Sequence, residues 1–167
     1  NEFTYGTHTY RKGASVIHNL RGYLGDELFA IGMKSILENY LYSNLDADEF
    51  RDEITMSTGF DATDFFDAWI FNPGFSVFVD DSISSVKDGN LWNNTLYVQQ
   101  KLRGTDFYHK NVPIQLQAIG FGGEIFEQDV IVSDQYSTVD FVTDFEVKRI
   151  VFNGSNKLNQ ARMAEDV

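Results

Sequence analysis

The spacing of apolar residues changes once along this chain, and the change divides it into two blocks. From Tyr10, apolar or small residues recur at Ala14, Ile17, Leu20 and Leu24, the stripe of an amphipathic helix. Gly25 supplies a stop and Asp26 a cap for a second helix, striped by Phe29, Met33, Ile36, Leu37 and Tyr40. Asp46-Ala47-Asp48-Glu49 has capping-box spacing, with acids suited to the positive end of a helix. That third helix carries Phe50 and Ile54 and ends near Gly59. Asp61 can cap a fourth, with Phe65, Phe66 and Trp69, closed by Asn72-Pro73-Gly74.

After Pro73 the period becomes two. Phe75, Val77 and Val79 alternate, and Lys87-Asp88-Gly89-Asn90 has the composition of a hairpin turn. Leu96, Val98, Gln100 and Leu102 follow, then Val112, Ile114, Leu116 and Ala118, then a turn at Gly120-Phe121-Gly122-Gly123. Phe126 to Val132, Tyr136 to Val142 and Phe145 to Phe152 complete the strands, and Asn153-Gly154 closes the last. The predicted fold class is α+β: an all-α block of about four helices over 1–73, then an antiparallel immunoglobulin-like β-sandwich over 74–167, with about six or seven strands. The tail from Asn156 has a weaker pattern and is expected to fray or run on. Pro73-Gly74 is a sharp corner, so the blocks are expected to pack on one another.

Charge narrows the partners. The 167 residues hold 25 Asp and Glu against 13 Lys and Arg, a net charge of −12, and neither block has an excess of bases. Nucleic-acid binding needs clustered cations that release counterions, so this balance argues against it, and against docking on an anionic membrane. No stretch approaches the roughly 18 apolar residues of a membrane span. With 43% hydrophobic and 15% aromatic residues, the chain has the material for a core. It has no cysteine, which excludes disulfides, thiolate metal sites and a cysteine nucleophile. Low lysine and absent cysteine lean toward an extracytoplasmic location without deciding it.

Local motifs name no chemistry. His8, His18 and His109 form no paired metal-ligand spacing, and are expected to be surface or capping residues. Asp80-Asp81 is expected at a strand end, and Asp46, Asp48 and Glu49 at a helix start. The glycines of 120–123 lie between strands, as a hairpin rather than a phosphate loop. No G-x-S-x-G elbow occurs. The sequons at Asn93 and Asn153 are as frequent as chance allows.

One ordered set of residues says more. Tyr10-Arg11-Lys12-Gly13-Ala14-Ser15-Val16-Ile17, then Leu24-Gly25, Phe29 and Gly32-Met33, resembles the zinc aminopeptidase family of aminopeptidase N, where a Tyr-x-Lys-Gly-Ala helix follows the metal-binding helices. Tyr42 with Asn44, Asp48-Glu49-Phe50, Ser57-Thr58-Gly59, Phe65, Trp69, Pro73-Gly74-Phe75 and Val77 continue it in order, as do Leu96 to Gln100 and Val112-Pro113-Ile114 more loosely. Ser76 departs from the family, which often has proline there. The resemblance implies the end of a gluzincin-type peptidase domain (1–73) leading into a small β-sandwich domain (74–167). It implies metal-assisted hydrolysis of N-terminal peptide bonds, zinc activating water beside a glutamate base. Tyr10 then takes the place of the tyrosine that donates its hydroxyl to the developing oxyanion. A phenol, titrating near about 10, is a neutral donor at neutral pH. Tyr5 is close by in sequence, and no role is assigned to it. Gly13 is expected to permit close helix approach and Lys12 to form an ion pair.

H-E-x-x-H, the third zinc-binding glutamate and G-x-M-E-N are absent, and in the family they precede the tyrosine. The chain is therefore expected to be a piece of a longer zinc enzyme, binding no zinc and cleaving nothing alone. Its partners would be a peptide substrate and the missing N-terminal domains. Helices cut from those domains are expected to have a large apolar face, covered by self-association or by the tail. The alternative is a non-enzymatic binding or scaffold module using the sandwich and the acidic helices as a contact surface.

Overall fold

The computed structural model describes residues 8–158 and 162–165. The chain divides into two compact units, Asn1–Pro73 and Gly74–Val167.

In the first unit a π-helical turn, His8–Lys12, leads into α1 (Gly13–Asn39), followed by α2 (Ala47–Thr58), α3 (Thr63–Phe66) and a second π turn, Asp67–Phe71. Gly25, at φ 74° and ψ 170°, interrupts α1 where the sequence places a stop. This is backbone that only glycine adopts without strain. The expected helices 1 and 2 are thus the two arms of one broken rod. Asp26 spans the break by accepting from Arg21 Nε at 2.7 Å.

The buried stripe of the first arm is Val16, Leu20 and Leu24, with Asn19 beside it. Ala14 and Ile17, expected inside, are exposed and half-buried. The phase is rotated because the core of α2 and α3 sits against the 16/20/24 face. There Tyr23 meets Phe65 edge-on at 4.9 Å, and its hydroxyl accepts from Trp69 Nε1 at 3.0 Å. On the second arm Ile36 is buried, whereas Leu37 is exposed.

Arm two crosses α2 at Gly32, where a Cβ would lie 2.7 Å from Ile54 Cδ1 and 3.2 Å from Thr58 Cγ2. The Asp46–Glu49 capping box forms in both directions at 2.9 Å. Gly59 ends α2 at φ 72°, and the Asp61 carboxylate accepts from the Thr63 amide at 3.0 Å. The side-chain hydrogen bond with Thr63 first, and this amide bond second, hold the Asp61 carboxyl below its ordinary pKa.

Among the described residues the second unit is a sandwich of seven strands: β1 (Phe75–Asp88), β2 (Leu91–Arg103), β3 (Val112–Gly120), β4 (Ile125–Val132), β5 (Tyr136–Thr143), β6 (Val147–Phe152) and β7 (Arg162–Glu165). One sheet has the order β5-β2-β1-β7, the other β4-β3-β6. Alternation is clean on β3, where Val112, Ile114, Leu116 and Ala118 point inward. On β2, Asn94, Leu96, Val98 and Gln100 do so.

Three features depart from the sequence reading. Ser76 through Val79 are buried on both faces of β1, so the expected alternation from Phe75 is not seen. Asp80-Asp81 lies inside β1, at a bulge between Asp80 and Ser82, and not at a strand end. The tail, expected to be weakly patterned, contributes β7, which runs parallel to β1 with Val77 opposite Arg162 and Asp80 opposite Glu165. The sandwich is therefore antiparallel except at this one edge.

Candidate functional site

Tyr10 sits in the π turn that opens the helical unit. Such turns are rare and recur at functional sites. Because Val16, Leu20 and Leu24 fix which side of α1 faces the core, the opposite side carries Ala14, His18 and Arg21, all exposed. Tyr10 is 68% exposed at its start. A tyrosine this open adds little to packing. It presents a phenol that can reach a ligand, one neutral hydrogen-bond donor on a helical support.

The neighbouring expectations fare differently. Among the described residues nothing lies within 4 Å of where a Gly13 Cβ would be, so no close helix approach is seen there. One is seen at Gly32. Lys12 is exposed and makes no ion pair among the described residues. Tyr5 lies outside the described residues.

Among the described residues no group of three or more His, Asp or Glu side chains could hold a metal ion. His18 is exposed. His109, expected at the surface or as a cap, is instead buried at 1% exposure. It lies between β2 and β3, its ring 5.7 Å from Phe107. Its backbone is held on both sides by Gln100: the amide N donates to Oε1 at 2.9 Å, and the carbonyl accepts from Nε2 at 2.8 Å. Burial pushes the imidazole down to about 4, so it is neutral near pH 7.

Sequence reasoning also missed Glu53. It looks like one more acid on an acidic helix, yet it is 5% exposed. Its Oε1 accepts from Ser35 Oγ at 2.5 Å and from Asn39 Nδ2 at 2.9 Å. With two neutral donors from α1 it acts as a clamp between α1 and α2. Ser35 and Asn39, one turn apart on α1, were the only signal in the sequence.

Comparison with known proteins agrees with the order of motifs. Residues 2–69 match the Peptidase family M1 domain. Aminopeptidase N of Lactococcus lactis subsp. lactis is 37% identical over 68 residues, covering 41% of this chain and 8% of that protein. Probable aminopeptidase 2 of Sulfurisphaera tokodaii is 32% identical over 112 residues, covering 67% of this chain and 14% of that protein. The chain thus spans a small part of the relatives it matches. In fold it is similar to aminopeptidase A of Legionella pneumophila, solved in complex with aspartic acid. The TM-score is 0.75 at 14% identity, covering 98% of this chain and 18% of that one. In sequence the chain is thus similar to aminopeptidases of the M1 family, with residues 2–69 matching the Peptidase family M1 domain, and in fold it is similar to a solved aminopeptidase.

Proposed function

We propose that this chain is part of a zinc-dependent aminopeptidase and that Tyr10 is its one contribution to the reacting atoms. The observation that carries this reading is a Tyr-x-Lys-Gly-Ala run in a family-matched segment, with its tyrosine side chain open to solvent at the head of a helix. In amide hydrolysis the scissile carbonyl oxygen gains negative charge as water adds. A phenol donating to that oxygen binds the tetrahedral intermediate more tightly than the planar amide, which is what lowers a barrier. The zinc ligands and the general base belong to other parts of the protein, so no step through the metal is assigned to these residues. On this reading the two units are the end of the peptidase domain (1–73) and a β-sandwich domain (74–167), and the chain alone is inert.

The test is Tyr10→Phe in the longer enzyme, assayed on an alanyl-anilide. Removing one oxyanion donor should lower kcat by about 10²–10³-fold with little change in KM. An unchanged kcat would remove Tyr10 from the mechanism.

A further inference from the structure

The chain holds two Asn-x-Ser/Thr sequons, Asn93-Asn94-Thr95 and Asn153-Gly154-Ser155, equivalent as sequence. The fold separates them. Asn153 is buried, in left-handed backbone at φ 53°. Its Nδ2 donates to the Leu158 carbonyl at 2.8 Å, and its Oδ1 accepts from the Leu158 amide at 3.1 Å. A sugar on that nitrogen would break the bond pair that closes the turn after β6. Asn93 is the opposite case. It lies in the extended chain of β2 and is exposed, while Asn94 beside it points inward and is buried. The Asn93 side chain makes no hydrogen bond among the described residues. Thr95, on the same face by alternation, carries the hydroxyl that completes the sequon, and its Oγ1 donates to Asp140 at 2.6 Å.

The strand register supplies a second observation. Val86 of β1 and Val142 of β5 stand directly opposite Asn93, one on each side. Leu91, two residues earlier on β2, shares that face. All three aliphatic side chains are exposed. Directly opposed residues have Cβ atoms about 5 Å apart, so a sugar linked to Asn93 would lie over both valines. The one accessible sequon is thus ringed by apolar surface of the kind that a bulky, solubilising group covers.

We propose that Asn93 is an acceptor for an N-linked oligosaccharide, that the glycan covers Val86, Leu91 and Val142, and that Asn153 carries none. The donor is a lipid-linked oligosaccharide diphosphate, supplied by a glycosyltransferase. The Asn93 amide nitrogen bonds to the anomeric carbon of the first sugar as that carbon's bond to the diphosphate oxygen breaks. The lipid diphosphate leaves, and the proton lost by the nitrogen passes to a base of the transferase. With a glycan rooted there, this end of the sheet faces water and not another polypeptide.

The test directs the 1–167 chain into the secretory pathway of a eukaryotic cell line. Intact mass is then read before and after treatment with an N-glycosidase in heavy-oxygen water. One glycan is expected, with Asn93 converted to labelled aspartate and Asn153 unlabelled. Asn93→Gln and Thr95→Val should each lose the added mass, whereas Thr95→Ser should keep it and Asn153→Gln should leave it unchanged. The Asn93→Gln chain should bind more of a hydrophobic dye than the glycosylated chain, and adding Val86→Thr with Val142→Thr should remove the excess. An unmodified chain, or label at Asn153, would overturn the choice of site. Dye binding indifferent to the glycan would overturn its covering of the valines.

Discussion

At the residue scale, the side chains that matter are those whose surroundings change what the side-chain type alone would do. His109 is the clearest case. Its pKa is about 4 in the fold and near about 6.5 when unfolded, so between these values the unfolded chain binds the proton that the folded chain refuses. Stability therefore falls as pH drops through about 6.5 and stops falling on this account below about 4. We predict that His109→Gln flattens this part of the curve: the wild-type minus variant difference in Tm should shrink from pH 7 to pH 4. A difference independent of pH would mean that the imidazole protonates within the fold. Neither this burial nor that of Glu53 was legible in the sequence. Both depend on partners far away in the chain: Gln100 and the sandwich core for one, Ser35 and Asn39 for the other. Tyr10 was legible only through resemblance, since an exposed tyrosine at a helix start has no distinguishing local pattern.

At the element scale, the stops and caps were legible because they are local. Gly25, the Asp46–Glu49 box, Gly59 and Asp61 all act within a few residues, and each is seen where the sequence puts it, although Asp26 meets Arg21 across the break. What was missed is what packing decides. The stripe on α1 turned by one residue, from Ile17 to Val16, and β1 became buried on two sides. The parallel strand β7 has only four residues, too few for a period-two pattern. The crossing of α1 and α2 supports a direct prediction. Gly32→Val overpacks against Ile54 and Thr58 and should destabilise the helical unit by about 1–3 kcal/mol in denaturant unfolding. Gly13→Val, facing open space among the described residues, should cost less than about 1 kcal/mol, a helix-propensity effect. Equal losses would contradict the crossing. In the sandwich, Gly74 takes φ 84°, and a Cβ there would overlap the backbone from Arg103 to Thr105. Gly74→Ala should therefore lower the Tm of the second unit, read by near-ultraviolet circular dichroism.

At the scale of the whole molecule, the chain covers a small share of the relatives it resembles. It matches 8% and 14% of two aminopeptidases, and its described residues assemble no metal site. In the helical unit and the turn after α1, Leu37 and Leu41 are 68% and 65% exposed, Tyr42 99% and Met56 74%. Large apolar side chains exposed in this way are what self-association would bury. The isolated chain should therefore self-associate with rising concentration in sedimentation velocity, and Leu37→Glu with Leu41→Glu should return it to monomer.

On the proposed function, catalysis draws on residues outside these 167, and Tyr10 supplies a donor to chemistry centred elsewhere. One sample of the purified chain, analysed for bound zinc and assayed for alanyl-anilide hydrolysis, tests this. Substoichiometric zinc and no turnover above buffer are expected. One equivalent of zinc with chelator-sensitive hydrolysis would contradict it.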